Sequence, residues 1–557
     1  MNPNTGEKEG HIVNIAFRLK SVTELAPYKR AVVCPAGRDS SGRMMYSHLT
    51  FLQLDRESDR LAHGMENAGI TRETRTILMV KPGLEFFMII FALFKIGAVP
   101  VVVDPGMGIR RMVGCFKEGR PEAFVGIPQA HVIRKCYPGF FKTVRVWITV
   151  GRRWFWRGFT LKQMRQGPWK SYTPAATREN DTAAILFTTG STGPAKGAVY
   201  THGNFDAQLR HIKTHLGLSG EEIDLSTFPL FALFWPPLGI TAVIPDMDPT
   251  KPAMANPKKI IEAIQNQGVT SMFASPALLN RVGEYGNNRN IILPPLKRVI
   301  SAGAPVSPSI IEKFASMLVD GARIHTPYGA TEAVPVISIA SDEILSETRK
   351  FSEKGYGYCI GRPINDLKVR LIKISDDPFP VWSDTLLVQD GETGEIAVKG
   401  DLVTRQYFEK PEADALAKIK DNDSFWHRMG DVGWKDSKGR IWFCGRKSHR
   451  VETEKKTLFT IPCEAVFNHH PLVFRSALVG IGVPGRQKPV ICIELKKGRH
   501  SLNKKALRNE LLELGRQNEL TKDITIILFH KSFPVDIRHN SKIFREKLAR
   551  WAEKKLG

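Results

Sequence analysis

The sequence predicts an α/β protein with a large N-terminal domain of stacked βαβ layers, a small antiparallel β subdomain, and a small α+β domain at the C-terminus. Three observations carry that reading. Apolar strand patterns alternate with helical ones through about the first 300 residues, the rhythm of βαβ units around largely parallel sheet. From about residue 365 short strands split by turn dipeptides replace that rhythm. After Arg446 two strands and two helices follow in a compact unit. A chain of 557 residues is also too long for one core. The domains expected are 1–446, with the β subdomain at about 360–446, and 447–557.

The elements follow in order. Thr76–Val80, Val99–Val103, Ala123–Gly126, Arg145–Thr149 and Ala183–Phe187 are short apolar runs, as strands buried on both faces of a parallel sheet must be. Phe86–Phe94 is a nine-residue apolar run ending before Lys95. It is far short of the roughly 20 residues that cross a bilayer, and reads as a buried helix. Leu367–Ile374, Gly394–Lys399 and Arg440–Cys444 are separated by turns at Asp390-Gly391 and Lys438-Gly439, which suits an antiparallel layer. Arg475–Gly480 and Val490–Leu495 read as strands, Lys504–Gln517 as an amphipathic helix, and a basic helix starts at Ile543.

Composition excludes several classes. Hydrophobic content of 42% and charged content of 24% are those of an ordinary folded chain. The seven cysteines stand singly with no CxxC pair, which argues for reduced thiols in a cytoplasm and against a disulfide scaffold or zinc site. The N-terminal MNPNTGEKEGHIV lacks the apolar core of a signal peptide, and no transmembrane segment is expected. Net charge is +24, and residues 450–557 hold 22 Lys/Arg against 11 Asp/Glu. Such a balance attracts nucleic acid, anionic membrane or an acidic substrate. No helix-turn-helix, zinc-finger or RNP-type motif accompanies it, so a basic face that favours nucleotide polyphosphate is preferred and nucleic acid is not expected as a partner. Arg152–Phe159 (RRWFWRGF) has two readings: contact with a membrane surface, or a domain-edge loop with its rings packed inward, the commoner case.

The chemistry starts at residues 185–199, ILFTTGSTGPAKGAV. An apolar strand runs into a loop whose glycines and hydroxyls can close around a polyphosphate, and Lys196 adds a cation. The spacing is not that of a Walker A loop. Further motifs follow: Gly303-Ala304-Pro305, Tyr328-Gly329-Ala330-Thr331-Glu332, Gly430-Asp431, Gly445-Arg446, and Pro534 followed by Ser541-Lys542. In this order they resemble the adenylate-forming superfamily of acyl-CoA synthetases, firefly luciferase and nonribosomal adenylation domains.

The resemblance implies ATP and Mg²⁺ as cofactors and assigns the residues. Thr188, Thr189, Gly190, Ser191, Thr192, Gly193 and Lys196 would hold the β- and γ-phosphates through amides, hydroxyls and a point charge. Gly303, Ala304, Pro305, Tyr328 and Gly329 would receive adenine, with Thr331 beside them, and Tyr328 offering a flat face. Glu332 is a hard oxygen ligand suited to Mg²⁺. Asp431 would accept from the ribose hydroxyls, and Arg446 would reach ribose or phosphate. Lys542, on a mobile C-terminal lid, would stabilise charge on the carboxylate and α-phosphate as pyrophosphate leaves.

Departures from the superfamily narrow the outcome. The hinge runs from Gly445 to Thr457 with His449 in place of the usual aspartate, about two extra residues, and no glycine in the loop. Ser541 takes the place of the glycine before the lysine, and Ala232 stands where many CoA ligases carry histidine. With TFPLFALF, PDMDPTKPA, RKSHRVET and DIRHNSKIFREKL, these features are similar to the β-lactone synthetases of bacterial olefin biosynthesis over nearly the whole chain. That resemblance implies a 2-alkyl-3-hydroxy long-chain fatty acid as substrate, adenylated and then closed to a β-lactone by its own 3-hydroxyl. It also implies a β-lactone decarboxylase and a ketone reductase as pathway partners. A long-chain acyl-CoA synthetase or fatty acyl-AMP ligase is the alternative. Within Phe228–Val243, Phe231, Phe234 and Trp235 are candidate walls for two alkyl chains, against a plain core segment. The base for ring closure stays open between AMP phosphate, water and a histidine such as His449.

Overall fold

The computed structural model describes residues 12–188, 195–496, 503–535 and 543–557, with Thr188 described by its backbone alone. Every strand expected in the first 200 residues falls in one seven-stranded sheet. Its spatial order is Phe159–Thr160, Val146–Thr149, Ala123–Gly126, Arg75–Met79, Val99–Val103, Thr182–Thr188 and Lys196–Thr201. All neighbours are parallel except the last pair, an antiparallel hairpin in which Thr188 faces Lys196.

A second seven-stranded sheet runs Arg323–His325, Arg298–Ser301, Ser271–Ala274, Ile223–Ser226, Thr241–Val243, Arg30–Arg38 and Met44–Thr50. It too is parallel until its final antiparallel pair. The helix Leu84–Ile96 contacts both sheets, and residues Phe86 to Ile96 are all buried. Its one cation, Lys95, is buried with them, so its charge needs partners in place. Helix Phe51–Asn67 supplies them: Asp55 Oδ1 and Asp59 Oδ1 each lie 2.6 Å from Nζ, and the Asp55 carbonyl lies at 2.9 Å. A Thr50/Gln53 capping box starts that helix and fixes its entry.

The expected antiparallel layer is an eight-stranded sheet. Its path is Tyr328–Ala330, Ala333–Ser338, Tyr358–Pro363, Ile441–Arg446, Ser424–Lys435, Gly394–Lys399 and Lys368–Ile372, with Lys418–Asp421 beside Ser424–Lys435. The C-terminal unit pairs Val473–Ile481 with Lys488–Leu495, and adds a strand the sequence reading lacked, Ile526–Phe529, in parallel. Helices Thr460–Asn468, Lys504–Arg516 and Arg545–Leu556 pack on this small sheet.

Removing Lys95 alone strands two buried carboxylates 36 and 40 residues away in sequence. Lys95→Met is expected to cost roughly 3–5 kcal/mol in denaturant unfolding. Adding Asp55→Asn and Asp59→Asn to Lys95→Met should recover most of that loss.

Candidate active site

The carboxyl ends of the parallel strands open into one cavity of about 1900 Å³. Met79, Val103, Phe187, Ser226, Ser301 and Thr326, at or just beyond strand ends from both sheets, line it. This is the crevice where open α/β sheets receive ligands. The antiparallel sheet and the C-terminal unit close its other sides, the latter through Arg475, Ile543 and Arg545.

One end is a polar grip on three strands. Gly303, in a positive-φ turn at +95°, Ala304 and Pro305 follow strand Arg298–Ser301 and line the cavity. Across from them, the register of the antiparallel sheet sets Asp431 opposite Arg446. Arg446 Nε lies 3.1 Å from Asp431 Oδ1, and the Tyr328 hydroxyl donates to Asp431 Oδ2 at 2.6 Å. Burial beside that carboxylate pushes the Tyr328 phenol well above its usual pKa, so it remains a donor. The same carboxylate holds the Arg446 guanidinium charged. Gly329 has no room for a side chain: a Cβ there would stand 2.5 Å from the Ala333 carbonyl.

The second cluster surrounds Glu332. Its Oε1 accepts from the Tyr407 hydroxyl at 2.5 Å, and its carbonyl accepts from the Thr404 amide at 2.8 Å. Beside it, the Tyr200 hydroxyl donates to the Thr331 carbonyl. Lys196 Nζ lies 5.0 Å from the Tyr407 ring centre, and Lys418 Nζ lies 5.8 Å from it. Burial pulls the Lys418 ammonium down to about 7, against the pull of Glu332 and Asp414, and its amine donates to the Thr404 carbonyl. His427 lines the cavity, is buried, and is held neutral by that burial and by the cations Lys418 and Lys196. Its Nδ1 has no partner among the described residues.

The structure thus gathers Lys196, Gly303, Ala304, Pro305, Tyr328, Gly329, Thr331, Glu332, Asp431 and Arg446 around one cavity. Thr189, Gly190, Ser191, Thr192, Gly193 and Lys542 lie outside the described residues, as does the Thr188 side chain. Ile543, the next residue after Lys542, lines the cavity. Tyr407, Lys418 and His427 escaped the sequence reading. Lys418 and His427 face each other across the hairpin whose turn holds Asn422 at φ +52°.

Away from the polar groups the cavity is apolar. Phe231 and Phe234 line it, with Phe231 4.7 Å from the Phe273 ring. Trp235 is not part of that lining. It is 3% exposed and packs in the core cluster, in the turn that joins the short helix Pro229–Ala232 to the 3-10 turn Pro236–Leu238. The cavity touches both faces of the first sheet: Leu78, Val102 and Leu186 on one, Met79, Val103 and Phe187 on the other.

Beyond Arg446 the hinge is tied down. Lys447 Nζ donates to the Ser375 carbonyl at 2.6 Å, and Arg450 pairs with Asp376 at 2.6 Å. His449 Nε2 lies 3.3 Å from Glu546 Oε1, lowering that carboxyl's pKa, and Arg545 grips Glu464 at 2.7 and 2.8 Å.

The AMP-binding enzyme family matches residues 21–408. The chain belongs to that family. It is 46% identical over 552 residues to an olefin beta-lactone synthetase of Stenotrophomonas maltophilia, covering 98% of each chain. Against the olefin beta-lactone synthetase of Xanthomonas campestris pv. campestris it is 44% identical over 548 residues, covering 97% of this chain and 98% of the relative. The fold matches the anthranilate CoA ligase AuaEII in complex with anthranoyl-AMP, with a TM-score of 0.78 at 17% identity and 98% coverage of both chains. It also matches O-succinylbenzoate coenzyme A synthetase of Bacillus subtilis in complex with ATP and magnesium ion, with a TM-score of 0.75 at 18% identity. That alignment covers 95% of this chain and 98% of the other.

For an AMP-binding enzyme, a carboxylate held from both sides is an acceptor pre-set toward the cavity. Asp431→Ala removes it and leaves Arg446 and Tyr328 facing each other. AMP and ATP binding are both expected to weaken by roughly 1.5–3 kcal/mol in calorimetric titration, the range for hydrogen bonds to a charged group.

Proposed function

We propose that the chain adenylates a 2-alkyl-3-hydroxy long-chain fatty acid with ATP and then closes it to a β-lactone, releasing AMP and diphosphate. The observation that carries this reading is full-length identity of 44–46% to olefin beta-lactone synthetases. The cavity supports it physically. Apolar side chains on both faces of a sheet suit an acid with two alkyl branches, and a dry wall protects a mixed anhydride from water.

In this reading Tyr328 and Gly303–Pro305 receive adenine, and Asp431 with Arg446 receives ribose. Lys196 meets the phosphates together with the hydroxyls and amides of Thr188–Gly193. Glu332 fits Mg²⁺, since a single carboxylate oriented by the Tyr407 hydroxyl is the kind of ligand that ion takes beside phosphates and waters. When bound, that ion would neutralise phosphate charge. The chain's residues 447–557 act as a lid, and Lys542 stabilises the charge that develops as the substrate carboxylate displaces diphosphate. The 3-hydroxyl oxygen then forms a bond to the acyl carbon. The bond from that carbon to the AMP oxygen breaks, and the hydroxyl proton is released.

The nucleophile is tethered to its target, so orientation replaces recruitment of a second substrate. The hinge agrees with this economy. Lys447 and Arg450 bind it to the loop that follows strand Lys368–Ile372, and no glycine relieves it. His449, a candidate base, is engaged with Glu546. A ketone reductase would supply the 3-hydroxyl, and a β-lactone decarboxylase would consume the product. The seven free cysteines among the described residues suit a reducing cytoplasm.

Product analysis by NMR from ATP, Mg²⁺ and the hydroxy acid, with and without CoA, tests the assignment. Lactone and AMP are expected either way, and an acid lacking the 3-hydroxyl should stop at the adenylate. A CoA-dependent thioester would overturn the reading. Lys542→Ala is expected to slow adenylation by roughly 10²–10³-fold, measured by pyrophosphate exchange.

A further inference from the structure

Between Glu122 and Glu179 the chain has 11 Lys and Arg and no Asp or Glu. At the centre of this stretch the loop 151–158 leaves strand Val146–Thr149 and returns as Phe159–Thr160, the edge strand of the first sheet. Its rings divide. Trp156 points inward: it is 3% exposed, its Nε1 donates to Thr149 Oγ1 at 2.9 Å, and it stacks on His131 with 5.1 Å between ring centres. Trp154, Phe155 and Phe159 point outward, at 51%, 78% and 41% exposed.

The outward rings are held there. Arg153 donates to the Gly158 carbonyl and closes the loop. Gly158 takes φ +119°, and a Cβ there would stand 2.6 Å from the Trp147 carbonyl. Phe155 and Trp154 brace against Trp156 at 5.2 and 5.4 Å. Arg152, Arg153 and Arg157 are exposed, and none forms an ion pair among the described residues. The buried anchor His131 belongs to helix Pro128–Cys136, whose Gln129, Ala130 and Ile133 line the catalytic cavity.

We propose that this loop docks the protein on an anionic lipid surface, with Trp154 and Phe155 in the headgroup layer and Arg152, Arg153 and Arg157 over the lipid phosphates. Exposed aromatic rings flanked by cations match the chemistry of a membrane interface. Two other partners fit less well. A single-stranded nucleic acid needs a groove that tracks its backbone, and this loop is a convex tip. A two-fold contact with a second copy would set Arg152, Arg153 and Arg157 against their own copies. Docking here would place the apolar cavity one helix away from a bilayer, where acids with two long chains reside. The inference goes beyond the catalytic reading and does not depend on it.

Sedimentation of the full chain with vesicles of phosphatidylcholine, alone or mixed with phosphatidylglycerol, tests it. Binding to the anionic vesicles is expected, weakening as salt rises. Trp154→Ser with Phe155→Ser should lower partition by about tenfold or more, the measure of two rings lost from the interface. Arg152→Gln with Arg157→Gln, which leaves the Arg153 contact to Gly158 in place, should lower it on the order of thirtyfold. These side chains are exposed, so thermal midpoint and AMP release from a short-chain soluble acid should not move. Absence of binding to the anionic vesicles, or variants that partition like the parent chain, would overturn the proposal. So would variants that change only the sedimentation coefficient or only the affinity for a single-stranded oligonucleotide.

Discussion

The antiparallel pairing of Ser424–Lys435 with Ile441–Arg446 puts Asp431 opposite Arg446, and much of the site depends on that register. Asp431 is 4% exposed, and a buried carboxylate stays ionised only with a cation and donors in reach. Arg446 provides the cation, and Tyr328, from a strand more than 100 residues earlier in the chain, provides the hydroxyl. A slip of one residue in that pair would turn Asp431 to the opposite face of the sheet. It would also move the start of the hinge, since Arg446 is the last residue of its strand.

The two parallel sheets do a different job. They leave their carboxyl ends free over a shared crevice and fill the space between them with the helix Leu84–Ile96. Lys95 binds that helix to its neighbour through two carboxylates, a rigid joint as long as all three charges are present. The polar grips and the apolar arms of the cavity are thus carried on stiff strands, as positioning of a tethered nucleophile requires.

Much of this was legible in the chain because it is local. Strands buried on both faces must be continuous apolar runs, and Val99–Val103 and Ala123–Gly126 are found where their composition puts them. The glycine-rich segment 188–197, the Tyr328–Glu332 motif and the Gly430-Asp431 pair are each runs of consecutive residues, readable without the fold. Tyr407, Lys418 and His427 do not. Each is an ordinary residue in its own segment, and only the fold sets Tyr407 against Glu332 or Lys418 against His427. Trp235 shows the reverse failure. It follows two cavity-lining phenylalanines in sequence, yet the chain turns it into the core.

The segment Arg152–Phe159 shows the limit most sharply. Its composition allows rings packed inward or rings offered to a surface, and the structure does both, with Trp156 inward and Trp154 and Phe155 outward. The sequence by itself determined the α/β class, the family motifs and their order, because periodicity and contiguous motifs are properties of short stretches. The tertiary structure alone decided which distant side chains share the cavity, which carboxylates are paired, and which rings meet solvent. Those outcomes turn on strand register and helix phase, where a shift of one residue reverses the face a side chain presents.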